Sequence, residues 1–163
     1  LDEYHVYVDT GKRKAGLAVL NSRRELVLAK LVEITNPTPA RMVRALEREA
    51  RKAISTLGGS VGSWTFEKPI KYKSQREYHK DLESLLAVIR SAKRILPEGV
   101  FTVVPRKWKG QVPKEICRAR TIRILSEREM IVLGEEQHDK YDAVGIAMVQ
   151  SGRLGRGCTR AKN

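Results

Sequence analysis

Apolar positions along the first third of the chain fall into short blocks. Residues 4–9 (YHVYVD), 15–20 (AGLAVL) and 25–34 (ELVLAKLVEI) read as three strands, divided by turn-like stretches carrying Gly11, Asn21 and Ser22. Links this short predict antiparallel neighbours. The period then changes. Met42, Val43, Leu46, Ala50, Ala53, Ile54 and Leu57 recur at helical spacing, behind a Thr38 N-cap and a first-turn Pro39, until Gly58 and Gly59 stop them. A strand at 63–67 (SWTFE), a basic loop (KPIKYKSQR) and a helix over 75–96 follow, the helix carrying Leu82, Leu85, Leu86, Ile89, Ile95 and Leu96 and ending at Pro97 and Gly99. Residues 100–104 (VFTVV) make a fifth strand, closed by Pro105. Pro113 opens a charged helix to Leu125, Ser126 with Glu129 forms a capping box for a short helical turn, and 138–151 predicts a last helix that buries Ala143, Val144, Ile146 and Ala147.

The resulting order, βββ-α-β-α-β-α-α, predicts an α/β fold: a mixed five-stranded sheet of three antiparallel strands followed by α/β crossovers, with helices on both faces. This is the element order of the ribonuclease-H-like fold. There the first strand lies beside the fourth, which would bring the ends of YHVYVD and SWTFE together. A length of 163 residues suits one domain, expected over 1–152. Residues 153–163 have little to bury and several basic side chains, and are expected to form a disordered tail.

Charge changes the picture. Against 19 Asp and Glu stand 32 Lys and Arg, a net charge of +13 and a sequence pI near 10.0, which favours a polyanionic partner, nucleic acid above all. No apolar run approaches a membrane span, and no basic flank with an apolar run marks a secretory signal in LDEYHVYVD, so a cytoplasmic setting is expected. Cys117 and Cys158 form no CxxC pair and no zinc spacing, in keeping with a reducing compartment; Cys117 is expected in the core.

The acids carry the chemistry. Asp9 ends an apolar strand before Thr10 and Gly11, so its carboxylate should project at the strand's C-terminal edge, where open α/β sheets place their sites. Glu67 does the same for the fourth strand, after Trp64 and Phe66. Asp139 and Asp142, three apart on a helix, share one face. Taken singly, Asp9 is also good turn chemistry and Asp139 a good helix cap. Neither alternative gives Asp142 a role. Four carboxylates meeting at one place need cations to neutralise them, and hard oxygen ligands suit Mg²⁺ or Mn²⁺. His138, beside Asp139, is either part of the helix start or an extra ligand or proton shuttle.

Order, spacing and these residues together resemble the RuvC family of Holliday-junction resolvases. YVDTGKRKAGLAV is similar to the family's opening strand, Gly turn and small-residue second strand; FEKP is similar to its strand-ending Glu; HDKYDAVGIAM is similar to its closing acidic helix. VVPRKWKGQVPKEICRAR resembles the fifth strand, Pro turn and Lys-bearing helix, in a form closest to phage-type members. The likeness runs over residues 4–152. It departs at Asp9-Thr10-Gly11, where the family has Asp-Pro-Gly, and between Pro105 and Pro113.

What this resemblance implies is two-metal phosphodiester hydrolysis, with two Mg²⁺ ions per site and Mn²⁺ able to substitute. Asp9, Glu67, Asp139 and Asp142 would be the ligands, and Lys114, with Lys109, would stabilise charge on the scissile phosphate. It implies a homodimer that makes paired nicks in four-way or branched DNA, in a bacterial cell or encoded by a phage, without a small-molecule cofactor. Lys68, Lys71, Tyr72, Lys73 and Arg76 in the basic loop, with Lys107, Trp108, Lys109 and Arg118, are the expected nucleic-acid contacts. The alternatives are an RNA-processing nuclease of the YqgF kind, which shares the Asp-x-Gly turn, and a non-catalytic binder of branched nucleic acid.

Overall fold

A computed structural model describes residues 1–70, 79–135 and 138–162. Strands β1 (Glu3–Asp9), β2 (Lys14–Leu20), β3 (Leu26–Glu33), β4 (Ser60–Glu67) and β5 (Gly99–Val103) form one sheet in the order β3-β2-β1-β4-β5. β1 and β3 run antiparallel to β2, and β4 and β5 run parallel to β1. The mixed five-stranded sheet with the first strand beside the fourth is therefore as the sequence predicts.

The period of two in a strand divides its side chains between faces. Val6 and Val8 of β1, and Ala15, Leu17 and Val19 of β2, face helices α1 (Pro39–Thr56) and α2 (His79–Ile95). Tyr7, Ala18 and Leu20 face the other way, into a second core. In β4, Trp64 and Phe66 belong to the α1 and α2 side. Asp9 shares parity with Tyr7, and Glu67 alternates with Phe66, so both carboxylates fall on the second face. One irregularity makes this possible: pairing of β1 with β4 shifts by one residue between Tyr4 and His5, passing over Gly62.

α1 starts as predicted, with the Arg41 N–H donating to Thr38 Oγ1 at 3.2 Å and Pro39 in the first turn, and it buries Met42, Val43, Ala45, Leu46, Ala50 and Ile54. The expected start of α2 at residue 75 lies outside the described residues. On the second face, the one-turn helix α3 (Pro105–Trp108), then α4 (Lys114–Ile124), α5 (Glu127–Leu133) and α6 (His138–Gln150) complete the layer. α3 differs from the turn that the sequence pattern predicts after β5: Pro105 both ends the strand and supplies a first helical turn. The capping box at Ser126 and Glu129 is present in full. α6 is buried from Lys140 to Met148 with no polar stripe, because the sheet lies on one side of it and α3 and α4 on the other. Cys117 is buried, as expected.

The chain after α6 corrects the expectation of a disordered tail. Strand β6 (Leu154–Gly155) pairs antiparallel with β7 (Thr159–Arg160) around a 3-10 turn at Arg156–Cys158, and Leu154 and Cys158 enter the second core. Arg120 Nη1 donates to the Gly157 carbonyl at 2.9 Å. Composition misleads here because a segment with no core of its own can complete a neighbour's. Among the described residues no helix is long and apolar enough to cross a membrane.

Candidate active site

Asp9 ends β1, one residue beyond the Val8–Phe66 pair, so it lies alongside Glu67 at the end of β4. The Thr10 hydroxyl donates to the Glu67 carbonyl at 2.7 Å and ties the two strand ends. Across the other edge of β1, Asp9 pairs with Gly16 of β2. Gly16 is where α6 comes down on the sheet: a Cβ there would stand 1.8 Å from the Asp139 carbonyl oxygen. Only a residue without a side chain allows that approach, and it carries the start of α6, with Asp139 and Asp142, to Asp9.

The electrostatics follow from this gathering. Burial first, and then the charges of Glu67, Asp142 and Asp139, push the Asp9 carboxyl well above the ordinary carboxylate range, with Lys114 opposing. Glu67 is raised too, by burial first, while a hydrogen bond from Trp108 and the charge of Lys109 pull it down. Asp142 is 3% exposed. It is met by Lys114 Nζ at 3.1 Å and by the guanidinium of Arg118, whose Nε and Nη2 both lie 3.4 Å from it. Burial works against the Lys114 charge, but Asp142, Asp9 and Glu67 outweigh it and hold that ammonium above its usual value.

The acids named from the sequence are thus brought together around Asp9, but they do not form a finished ligand sphere. Among the described residues no group of three or more His, Cys, Asp or Glu side chains is arranged to hold a metal ion as it stands. Glu67 is engaged by an indole and Asp142 by two cations. The chemistry of the donor set nevertheless fits a hard divalent cation: carboxylate oxygens at a partly buried edge, repelling one another.

Other expected residues divide. Lys68 and Lys107 are exposed near the site, and Lys109 is half-buried with Nζ 5.9 Å from the Trp108 ring centre. Lys71, Tyr72, Lys73 and Arg76 lie outside the described residues. Arg118 is not a free surface contact; its side chain is 15% exposed and bound to Asp142. His138 is exposed, with Nδ1 at 2.6 Å from Arg118 Nη1. Trp108 requires a correction. At 1% exposed it cannot stack on bases; its Nε1 donates to Glu67 Oε2 at 2.5 Å. Neither this bond nor the Arg118 fork on Asp142 is legible in the sequence. The one signal was Gly145 inside a helix, a mark of close approach: a Cβ there would stand 2.8 Å from the Trp108 ring.

No family model matches the chain, and no curated protein matches it. Solved structures do. Thermus thermophilus RuvC in complex with Holliday junction substrate is 18% identical, covering 91% of this chain and 92% of that one with a TM-score of 0.61. A second Thermus thermophilus RuvC structure is 16% identical over 91% of this chain and 93% of that one, with a TM-score of 0.58. This chain, with Asp9 and Glu67 at strand ends and Asp139 and Asp142 on α6, thus shares the ribonuclease-H-like fold of the RuvC structures.

Proposed function

We propose that this protein is a metal-dependent endonuclease that cuts four-way or branched DNA. The observation that carries the reading is the crowding of three further acids around Asp9, which bound cations would relieve, in a chain of net charge +13. Asp9, Glu67, Asp139 and Asp142 would hold the ions, two per site, Mg²⁺ or Mn²⁺. Bound there, divalent cations supply Lewis acidity toward the scissile phosphate and its leaving oxygen.

The chain's own groups do the rest. Asp9, at the meeting point of β1, β4 and α6, would be the ligand central to the set. Lys114, at the first turn of α4 with a half-exposed side chain 3.1 Å from Asp142, would supply positive charge to the phosphate oxygens. Arg118 would orient Asp142. Lys68, Lys107 and Lys109 surround this edge with the positive charge that a phosphate backbone needs. Support for branched DNA comes from the fold shared with a RuvC bound to Holliday junction substrate. A homodimer would set two such sites against opposed strands and give paired nicks.

Incubating the protein with a synthetic four-way junction, linear duplex and RNA of matched sequence, with and without Mg²⁺, tests this. Cutting confined to the junction and lost in Asp9→Asn is the expected result. Junction binding without cutting at any metal concentration would establish a binding protein instead, and preference for RNA an RNA-processing enzyme.

A further inference from the structure

Trp108 lies where the sequence suggests a DNA contact, yet its surroundings are those of a group built to orient another. Pro105 begins the single turn of α3 that carries it, and Gly145 of α6 leaves room beneath the ring. Its Nε1 points at one atom, Glu67 Oε2. Resting on the metal-dependent reading above, we propose that Trp108 is a positioning residue for metal binding. Its N–H holds one oxygen of Glu67 and so restricts the plane in which the other can be presented to an ion. Glu67 is a long side chain with several rotatable bonds at a strand end, and a bound N–H removes that freedom before an ion arrives.

The second tryptophan supplies an internal control. Trp64 is equally buried, and its Nε1 also donates to a glutamate, Glu98 Oε2, at 3.2 Å. Glu98, however, is already gripped by both Nη atoms of Arg51, at 2.7 and 2.9 Å, and it precedes β5 at the opposite end of the sheet from Glu67. The same pair of residue types is therefore a tie within the scaffold at one end and a guide for a ligand at the other. A purely structural role for Trp108 would make the two tryptophans behave alike.

The experiment is Mn²⁺ binding to the full chain by titration calorimetry, for the parent, Trp108→Phe and Trp64→Phe. Phenylalanine keeps most of the ring and loses the donor. Trp108→Phe should weaken Mn²⁺ binding about tenfold, with cutting recovered at raised Mn²⁺, while Trp64→Phe should lower the melting temperature and bind Mn²⁺ as the parent does. Equal affinity in Trp108→Phe and the parent overturns the proposal, as does equal weakening by both substitutions. No Mn²⁺ binding by the parent overturns the metal-dependent reading itself, and this inference with it. Should Trp108→Phe not fold, Trp64→Phe leaves Trp108 as the sole indole of the two in the sequence. Mn²⁺ should then quench its emission at the concentrations that give heat, and unchanged emission would refute the proposal.

Discussion

Glu129 and Asp9 are both carboxylates withdrawn from water, and the protein treats them in opposite ways. Glu129, 4% exposed, is surrounded by donors: the Leu26 N–H at 2.8 Å, the Ser126 N–H at 2.9 Å, and both terminal nitrogens of Arg153. Burial alone would raise it, but these partners prevail and hold it down at about 2. Asp9 has three acids for neighbours and is driven upward. The first carboxylate joins β3, α5 and the segment after α6 into one piece. The second is a destabilising charge that folding tolerates, and such charges concentrate where chemistry is done. Stability and function are thus written in the same residue class, and the surroundings tell them apart.

The sharpest way to break that contrast is Asp9→Asn. On the proposed function it should lower junction cutting by at least ~1000-fold, a loss of about 4 kcal/mol of transition-state stabilisation, while the melting temperature stays level or rises. A variant that cuts like the parent would remove Asp9 from the site. Glu129→Gln should do the reverse, leaving cutting unchanged but lowering unfolding free energy in urea by about 3 kcal/mol.

Next comes acid. The folded-state value of Glu129 is depressed, so its contribution is fully present above the ordinary carboxylate value of 4.5 and drains away as pH falls toward about 2. For Asp9 the sign is reversed: its penalty sets in as pH rises above its unfolded value, and protonation relieves it. Melting curves of the parent, Asp9→Asn and Glu129→Gln from pH 7 downward should show the first two losing stability on acidification and the third losing less. Gly16→Ala should cost on the order of 2 kcal/mol and misplace Asp139, since the added carbon has nowhere to go at 1.8 Å from a backbone oxygen; both melting temperature and cutting report it. The smallest effect belongs to Glu49→Gln, which removes the surface ion pair with Lys30 at 2.7 Å and should change stability by less than about 0.5 kcal/mol.

Much of this arrangement is legible in the chain itself. Strand period and turn residues place Asp9 and Glu67 at strand ends, and an i, i+3 pair places Asp139 and Asp142 on one helix face. The capping box at Ser126 is read correctly because it is local. What escapes is non-local: Trp108 reaches Glu67 across 41 positions, and Arg118 reaches Asp142 across 24. Nothing in the neighbourhood of either residue encodes its partner. An aromatic in a basic stretch therefore reads as a DNA contact when it is a buried donor. The tail fails for a related reason, since Leu154 and Cys158 fill a core whose other walls lie elsewhere in the sequence.

The extra residue that β4 carries opposite β1 has a consequence beyond local shape. Before it, Val61 packs toward α1 and α2 with odd numbering; after it, Trp64 and Phe66 do so with even numbering. Were Gly62 paired in the ladder and not passed over, the alternation would run unbroken, and Glu67 would emerge on the far side of the sheet, screened from Asp9 by the backbone. One surplus amino acid thus acts as a switch of sidedness. On the proposed function it also makes cutting conditional on correct assembly: a chain that paired these strands one step out of line would present its two acids back to back and would not cut.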